Sequence, residues 1–100
     1  MLRNSLTGKQ KSFLRSLGMN EDPVVMVGKE AVTPAVVQSA KEAIKKRELI
    51  KVRVLNNCLE EVEDVMTLLA ERCDANLVQI KGSTGLLFRR NFDRPRIELP

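Results

Sequence analysis

A glycine, a lysine, a threonine and a proline lie close together in one short segment of this chain and could together bind an anion. Gly28 and Lys29 directly follow an apolar run, and Thr33 and Pro34 come after three further residues. Glycine lets a backbone approach a ligand closely, lysine adds positive charge, and amides at a helix N-terminus attract negative charge. Thr33 is a typical N-cap and Pro34 a typical first helical residue. The segment therefore predicts a loop into a helix, with or without a ligand.

Histidine, on which many catalytic mechanisms depend, is missing from this chain. The 100 residues contain no histidine, tyrosine or tryptophan, so the commonest general base is absent. The segment at Gly28 lacks the glycine and lysine spacing of a triphosphate-binding loop. Cys58 and Cys73 stand apart, without the four ligands that structural zinc requires. We therefore expect no catalysis, cofactor, metal or small-molecule substrate.

Positive charge is distributed unevenly along the chain. Residues 1–53 carry eleven Lys or Arg and five Asp or Glu, a net charge of +6. Residues 54–75 carry one and six, a net charge of −5, and residues 76–100 carry five and two, a net charge of +3. Such a positive field favours binding to a polyanion, although charge scattered for solubility would explain the composition equally well.

Neither a membrane span nor a secretion signal is visible in the sequence. No apolar run approaches the roughly 20 residues that a spanning helix needs, and the first residues lack a signal-peptide pattern. Cys73 falls on the apolar side of a predicted helix, which favours a buried free thiol and a reducing compartment. We expect a cytoplasmic monomer that folds as a single domain over residues 1–100.

Hydrophobic periodicity predicts seven elements in the order αβαβαββ, which favours an α/β fold. Specifically, we expect an α+β two-layer sandwich, with one mixed sheet of about four strands and the helices packed on it. The tail alternates at Ile97 and Leu99 as a short edge strand would. The predicted elements are a helix from Thr7 to Gly18, a strand of buried type at Val24–Val27, a helix from Thr33-Pro34 to Arg47, a strand at Leu49–Leu55, a helix at Leu59–Arg72, and strands at Leu77–Lys81 and Leu86–Arg89 joined by a four-residue turn.

Further cations accompany the Gly28 loop on the neighbouring elements. Lys41 and Lys45 lie one turn apart on the outer face of a helix, and Lys51 and Arg53 share the exposed face of a strand. We expect these cations to form one broad basic surface that binds RNA. The candidate RNA-binding residues are Gly28, Lys29, Glu30, Ala31, Thr33, Lys41, Lys45, Lys9, Lys11, Arg15, Lys51, Arg53, Arg89 and Arg90.

The aromatic residues limit how RNA could be bound. The chain has three phenylalanines and no other aromatic side chain, too few for the stacking platform of single-strand readers. Phe13 lies on a core-facing stripe, Phe88 could face either side of a strand, and Phe92 is the ring we expect to be exposed. Binding should therefore depend on backbone and shape, with steep salt dependence and low sequence specificity.

Five segments carry a resemblance to a known family. They are Leu6-Thr7-Gly8-Lys9-Gln10-Lys11, Gly28-Lys29-Glu30-Ala31-Val32-Thr33, Glu48-Leu49-Ile50-Lys51-Val52, Leu77-Val78-Gln79-Ile80-Lys81-Gly82 and Ile97-Glu98-Leu99-Pro100. With these segments in this order, nearly the whole chain resembles the CRM (chloroplast RNA splicing and ribosome maturation) domain, in particular its stand-alone bacterial YhbY-type members.

The resemblance implies a fold, a binding mode and a partner. The fold would be similar to the C-terminal domain of a bacterial translation initiation factor, and a G-x-x-G loop would bind structured RNA. The partner would be large-subunit ribosomal RNA or its precursor particle, hence a role in ribosome assembly. At the second glycine of the family loop this chain has Ala31. Either the backbone there is conventional, or close approach of phosphate is weakened and the flanking lysines contribute more.

Two other functions remain open at this point. The acidic residues of the third helix, from Glu60 to Asp64, could dock a basic ribosomal protein, although acids near a helix N-terminus also favour the helix itself. A thiol enzyme at Cys58, near a predicted helix start, would need a thiol of depressed pKa.

Overall fold

Three helices and four strands make up the computed structural model, which describes residues 5–100. They follow one another in the order predicted from the sequence, so the mixed α/β character of the fold is confirmed. The elements are α1 Gly8–Gly18, β1 Pro23–Val27, α2 Pro34–Arg47, β2 Leu49–Val54, α3 Val62–Arg72, β3 Asn76–Lys81 and β4 Thr84–Phe88.

Side-chain capping fixes where the first two helices begin. The Thr7 hydroxyl accepts the Gln10 amide at 3.1 Å, and the Gln10 side chain accepts the Thr7 amide at 3.0 Å. This reciprocal pair is a capping box. At the start of α2, the Thr33 hydroxyl accepts the Val36 amide at 3.1 Å. Both helix starts were predicted, because the capping residues are local in the sequence.

The four strands form one mixed sheet in the order β1-β2-β4-β3. β1 and β2 are parallel, with α2 as the crossover that such a pair requires, and the other two pairs are antiparallel. β1 is therefore an edge strand. Val25 and Val27 are buried, whereas Val24 and Met26 are exposed. The prediction of a fully buried strand is wrong here, because the four apolar residues in a row do not reveal that one face of the strand is uncovered.

Helices lie on both faces of the sheet. α2 and α3 cover one face, where the core includes Ile50, Val52 and Leu87. α1 lies against the other face, where Leu14 belongs to a second apolar cluster with Phe88. Leu87 and Phe88 are adjacent in β4 and point to opposite faces, as strand alternation requires. The molecule thus has three layers instead of the expected two, because an apolar helix stripe does not show which face of a sheet it will cover.

Two element boundaries differ from the sequence prediction by more than one residue. The β3–β4 hairpin is closed by the two residues Gly82 and Ser83, and β4 already begins at Thr84. Gly82 has φ +59°, a left-handed conformation that glycine adopts readily in short hairpin turns. α3 begins at Val62 and not at Leu59, whose side chain is 89% exposed and lies outside the helix.

A buried carboxylate lies at the junction of α2 and β2. Glu48 is 0% exposed and has φ +64°. Its carboxylate accepts hydrogen bonds from the backbone amides of Asn91 at 2.7 Å, Arg96 at 2.6 Å and Ile97 at 2.7 Å. Charge-assisted bonds of this kind are about twice as strong as neutral ones. Glu48 therefore holds the C-terminal tail, residues 89–100, against the body of the molecule.

The C-terminal tail does not extend the sheet. Ile97 and Leu99 are partly buried against the cluster beneath α1, but the segment has no strand pairing. The predicted edge strand is therefore wrong. Alternating apolar residues pack as expected, whereas the tail amides bond to Glu48 instead of to a neighbouring strand.

Candidate nucleic-acid interface

The loop between β1 and α2 makes one tight turn. The Ala31 amide donates to the Gly28 carbonyl at 3.0 Å, which closes a four-residue turn. Lys29 and Glu30 at the tip are exposed, whereas Ala31 is buried. The turn therefore presents its lysine to solvent where the chain leaves the C-terminal end of β1.

Ala31 has the backbone conformation expected of a glycine. Its φ is +58°, in the left-handed region. A residue with a Cβ pays about 1 kcal/mol there, and burial of the methyl group at 8% exposure offsets part of that cost. Of the two possibilities left by the sequence, the backbone is therefore not conventional. The loop keeps the shape of a turn with glycine at this position.

Gly28, unlike Ala31, does not have a backbone conformation that favours glycine. Its φ is not in the left-handed region, and a Cβ built on it would meet nothing closer than the Asn57 side-chain oxygen at 3.7 Å. The left-handed residue of this turn is therefore Ala31 and not Gly28. Neither conformation nor packing requires glycine at position 28. Its missing side chain leaves the loop surface beside Lys29 bare.

The first turn of α2 offers few free amides. Thr33 already bonds the Val36 amide through its hydroxyl, and Pro34 at the first helical position has no amide hydrogen. Two of the first three helical positions therefore have no amide available to an anion. Thr33 serves the helix as its cap, and any contact between its hydroxyl and RNA would compete with that bond.

Four of the predicted cations come together in an open groove of about 430 Å³ between α2 and the C-terminal tail. We call it the tail groove. The Asn91 side chain donates to the Lys45 carbonyl at 3.0 Å and so ties the tail to the helix. Asp93 contributes the one carboxylate of the lining. The residues that line the groove are Lys41, Ile44, Lys45, Arg89, Arg90, Asn91, Phe92 and Asp93.

A second basic groove, of about 420 Å³, lies on the opposite face of the sheet, beside α1. We call it the sheet groove. Its three cations are Arg15, Lys51 and Lys81, and the remaining side chains are mainly small or polar. The full lining is Ser12, Arg15, Ser16, Gly18, Met19, Lys51, Gln79, Lys81, Thr84, Gly85 and Leu86.

Lys81 is a cation of the sheet groove that the sequence prediction missed. In the sheet, Thr84 is paired with Lys81 on one side and with Arg53 on the other. Residues that are opposite one another across neighbouring strands point to the same face. Arg53, Thr84 and Lys81 therefore form one row. The sequence pattern shows that Lys81 lies at the end of a strand. Only the strand pairing shows that it lies on the same face of the sheet as Arg53.

The predicted cations do not form one continuous surface. The tail groove lies beside the second half of α2, whereas the Gly28 turn precedes the first half of that helix. The sheet groove is on the other face. Lys9 is exposed and Lys11 half-buried on α1, and neither lines the tail groove or the sheet groove. The expectation of one broad basic surface is wrong, because it assumed that all helices cover the same face of the sheet.

The acidic residues around the start of α3 are all exposed. Glu60, Glu61, Glu63 and Asp64 face solvent. Glu61 is the N-cap, yet its side chain makes no capping hydrogen bond. Glu63 and Asp64 lie in the first helical turn, where negative charge favours the helix. The cluster therefore has a partial explanation in helix stability.

Cys73 is a buried free thiol, as predicted. Burial raises the pKa of this thiol above its ordinary value, and the nearby charges of Lys41 and Arg89 partly oppose that rise. The folded state thus keeps the proton of the Cys73 thiol up to a higher pH than the unfolded state does. The stability that this group contributes is present below its unfolded pKa and is lost as pH rises through its folded pKa. Cys58 is also free, half-buried and packed against the core.

The described part of the chain offers neither a metal site nor a membrane-spanning helix. Within residues 5–100, no three His, Cys, Asp or Glu side chains are grouped so that they could hold a metal ion. Over the same residues, no helix has the length and apolar character needed to cross a membrane.

Known proteins share both the sequence and the fold of this chain. The "Probable RNA-binding protein YqeI" of Bacillus subtilis is 43% identical over 95 residues, covering 95% of this chain and 99% of the relative. A Haemophilus influenzae protein named "RNA-binding protein" is 32% identical over 96 residues, covering 96% of each chain. The solution structure of a Staphylococcus aureus protein, described as a candidate RNA binding protein, superposes with a TM-score of 0.81 at 38% identity. That match covers 96% of this chain and 100% of the other.

The family itself follows from a match along most of the sequence. The profile of the CRS1 / YhbY (CRM) domain matches residues 6–89, from the residue before the α1 cap to the first residue after β4. The match includes the Gly28 turn, α2 and every strand of the sheet. The chain is therefore a member of the CRS1 / YhbY (CRM) domain family.

Proposed function

We propose that this chain binds the backbone of structured RNA in precursors of the large ribosomal subunit and assists their assembly, without catalysis. Its relatives are RNA-binding proteins by name. The tail groove is the observation that carries the proposal, because four cations from two distant parts of the sequence line one open groove with a single carboxylate. Lys and Arg are the main partners of phosphate oxygens in nucleic-acid complexes.

The cations along α2 favour an extended ligand. Lys29 lies in the turn before the helix, and Lys41 and Lys45 lie in its second half. The helix has 14 residues and is therefore about 21 Å long. Charges spread over that distance fit a phosphate backbone better than a small molecule. With few aromatic side chains, the chain is expected to recognise RNA shape and charge more than base sequence.

Replacing Gly28 by alanine should separate RNA binding from folding. A Cβ at this position makes ordinary contacts in the structure, so stability should stay the same or rise by about 0.4–1 kcal/mol. RNA affinity should fall several-fold, because the methyl group occupies the bare loop surface beside Lys29. Thermal unfolding and filter binding to a ribosomal RNA duplex measure the two effects. Unchanged affinity would show that RNA does not closely approach the backbone at Gly28.

Sedimentation of cell extracts tests the proposed target. The wild-type chain should migrate with large-subunit precursors and leave them as salt is raised, since phosphate contacts are salt-dependent. The proposal would be contradicted if the chain stayed with unbound proteins at the top of the gradient, or sedimented with small-subunit particles alone. Depletion of the chain should also raise the level of unfinished large subunits.

The acidic cluster favours a second candidate function, the docking of a basic ribosomal protein. Glu60 and Glu61 lie outside the helical turns, and the Glu61 side chain caps nothing, so helix stability does not account for the whole cluster. If this function operates, replacing all four acids by glutamine or asparagine releases the chain from precursor particles but does not weaken its binding to naked RNA. If binding to particles and binding to naked RNA were lost equally, the cause would be misfolding or a direct role of the acids in RNA binding, and not docking of a protein.

A further inference from the structure

Phe92 differs from the other two phenylalanines in its exposure. Its side chain is 68% exposed, whereas Phe88 is 1% exposed and Phe13 is half-buried. Phe92 lines the tail groove together with the four cations. It is therefore the aromatic ring that a ligand in this groove can reach.

The backbone on both sides of Phe92 is held in place. The Asn91 amide donates to Glu48 at 2.7 Å, and the Asn91 side chain donates to the Lys45 carbonyl at 3.0 Å. The Asn91 side-chain oxygen accepts the amides of Asp93 and Arg94, both at 3.1 Å. The ring thus projects from a fixed piece of backbone. Little conformational entropy would be lost when a ligand contacts it.

The surroundings of Phe92 match the two parts of a nucleotide. An aromatic face stacks on any base, and neighbouring Lys and Arg side chains attract the phosphates on either side of it. The groove volume of about 430 Å³ falls within the usual range of small-ligand sites. A base inside a duplex is stacked on its neighbours and cannot reach the ring, whereas an unpaired base can.

We infer that Phe92 stacks on an unpaired base of the bound RNA, so that the tail groove receives a bulged or single-stranded nucleotide next to a duplex. This inference rests on the proposed RNA-binding function and adds a feature of the target to it. The cations hold the backbone of the duplex and of the unpaired nucleotide, and Phe92 supplies the preference for the unpaired base.

Two RNA hairpins test the inference, one with a single adenine bulge and the same hairpin fully paired. The wild-type chain should bind the bulged hairpin about tenfold more tightly, and F92A should lose that preference with little change in its affinity for the paired hairpin. F92L keeps apolar bulk without an aromatic face and should behave like F92A. L59A removes another exposed apolar side chain, outside both grooves, and should keep the preference.

An indole at position 92 gives a direct signal, because the chain contains no tryptophan. F92W should keep the preference, and the bulged hairpin should quench its fluorescence more strongly than the paired one. Persistence of the preference in F92A, or equal quenching by the two hairpins, would overturn the inference alone. Failure of the wild-type chain to bind either hairpin would overturn the proposed function as well.

Discussion

Reversing the charges of Lys29, Lys41 and Lys45 to glutamate is expected to lower the affinity for large-subunit ribosomal RNA by at least about 100-fold. Each lysine is exposed, so no buried contact is lost. A lost phosphate contact costs about 1 kcal/mol, and three cost about 3 kcal/mol, or roughly 100-fold. The new carboxylates repel the backbone and add to that loss.

The salt dependence of binding distinguishes lost phosphate contacts from misfolding. Each contact contributes about 0.9 to the slope of log affinity against log salt concentration for a duplex. The slope of the triple variant should therefore be smaller by about 2 to 3, while its thermal unfolding stays close to that of the wild type. An unchanged slope would show that these lysines do not touch phosphates.

A control variant with the same net charge tests whether the position of the three lysines matters for RNA binding. Each lysine-to-glutamate change removes two units of charge, so the triple variant falls from +4 to −2. K46E/R47E/R72E has that same net charge but changes cations that line neither groove. It should lose far less affinity than the first variant. Equal losses would mean that RNA responds to the overall field and not to the line of lysines along α2.

Glu48→Ala is expected to lower the free energy of unfolding by about 3 kcal/mol. The substitution removes the acceptor of three backbone amides, and each unsatisfied buried donor costs about 1–3 kcal/mol. Release of the C-terminal tail into water limits the total loss. Glu48→Gln keeps the shape but places an amide group against one donor, so an intermediate loss of about 1–2 kcal/mol is expected.

For RNA binding by Glu48→Ala, the change in charge and the loss of a positioning role predict opposite effects. Glu48→Ala makes the chain more positive by one charge, which favours RNA on electrostatic grounds alone. If Glu48 positions the tail groove, affinity should instead fall several-fold, because the loss of the bond to the Asn91 amide loosens Arg90 and Phe92 on either side of it. Tighter binding of the variant would contradict a positioning role.

Hydrogen exchange locates the effect of Glu48→Ala within the tail. The amides of Asn91, Arg96 and Ile97 should lose their protection, while those of the central strands keep most of theirs. Glu98→Ala is the matched control, since this carboxylate lies in the same tail and is exposed. It should change stability by less than about 0.5 kcal/mol.

The parts of the fold that depend on neighbouring residues could be predicted from the sequence. Thr33, Pro34 and Arg47 mark the observed ends of α2, because a cap and a first-turn proline act within a few residues. Alternation along β2 places Lys51 and Arg53 on the face opposite Val52, as observed. The buried thiol of Cys73 follows from its place on an apolar helix stripe.

The features that the sequence did not predict depend on distant parts of the chain. Glu48 is buried by a segment more than forty residues further on, and no local pattern marks a glutamate as the anchor of a tail. The partner of Lys81 is set by strand pairing through Thr84. The left-handed backbone of Ala31 is hidden as well, because alanine rarely adopts that conformation and only the family resemblance singled the position out.

Crosslinking in living cells, followed by sequencing of the attached RNA and mass spectrometry of the attached peptides, tests the central claim most directly. The crosslinked RNA fragments should come from the large-subunit ribosomal RNA and its precursor. The crosslinked peptides should contain Lys29, the second half of α2, or Phe92. Crosslinks that concentrate on transfer, messenger or small-subunit RNA, or on peptides of α3, would contradict the claim.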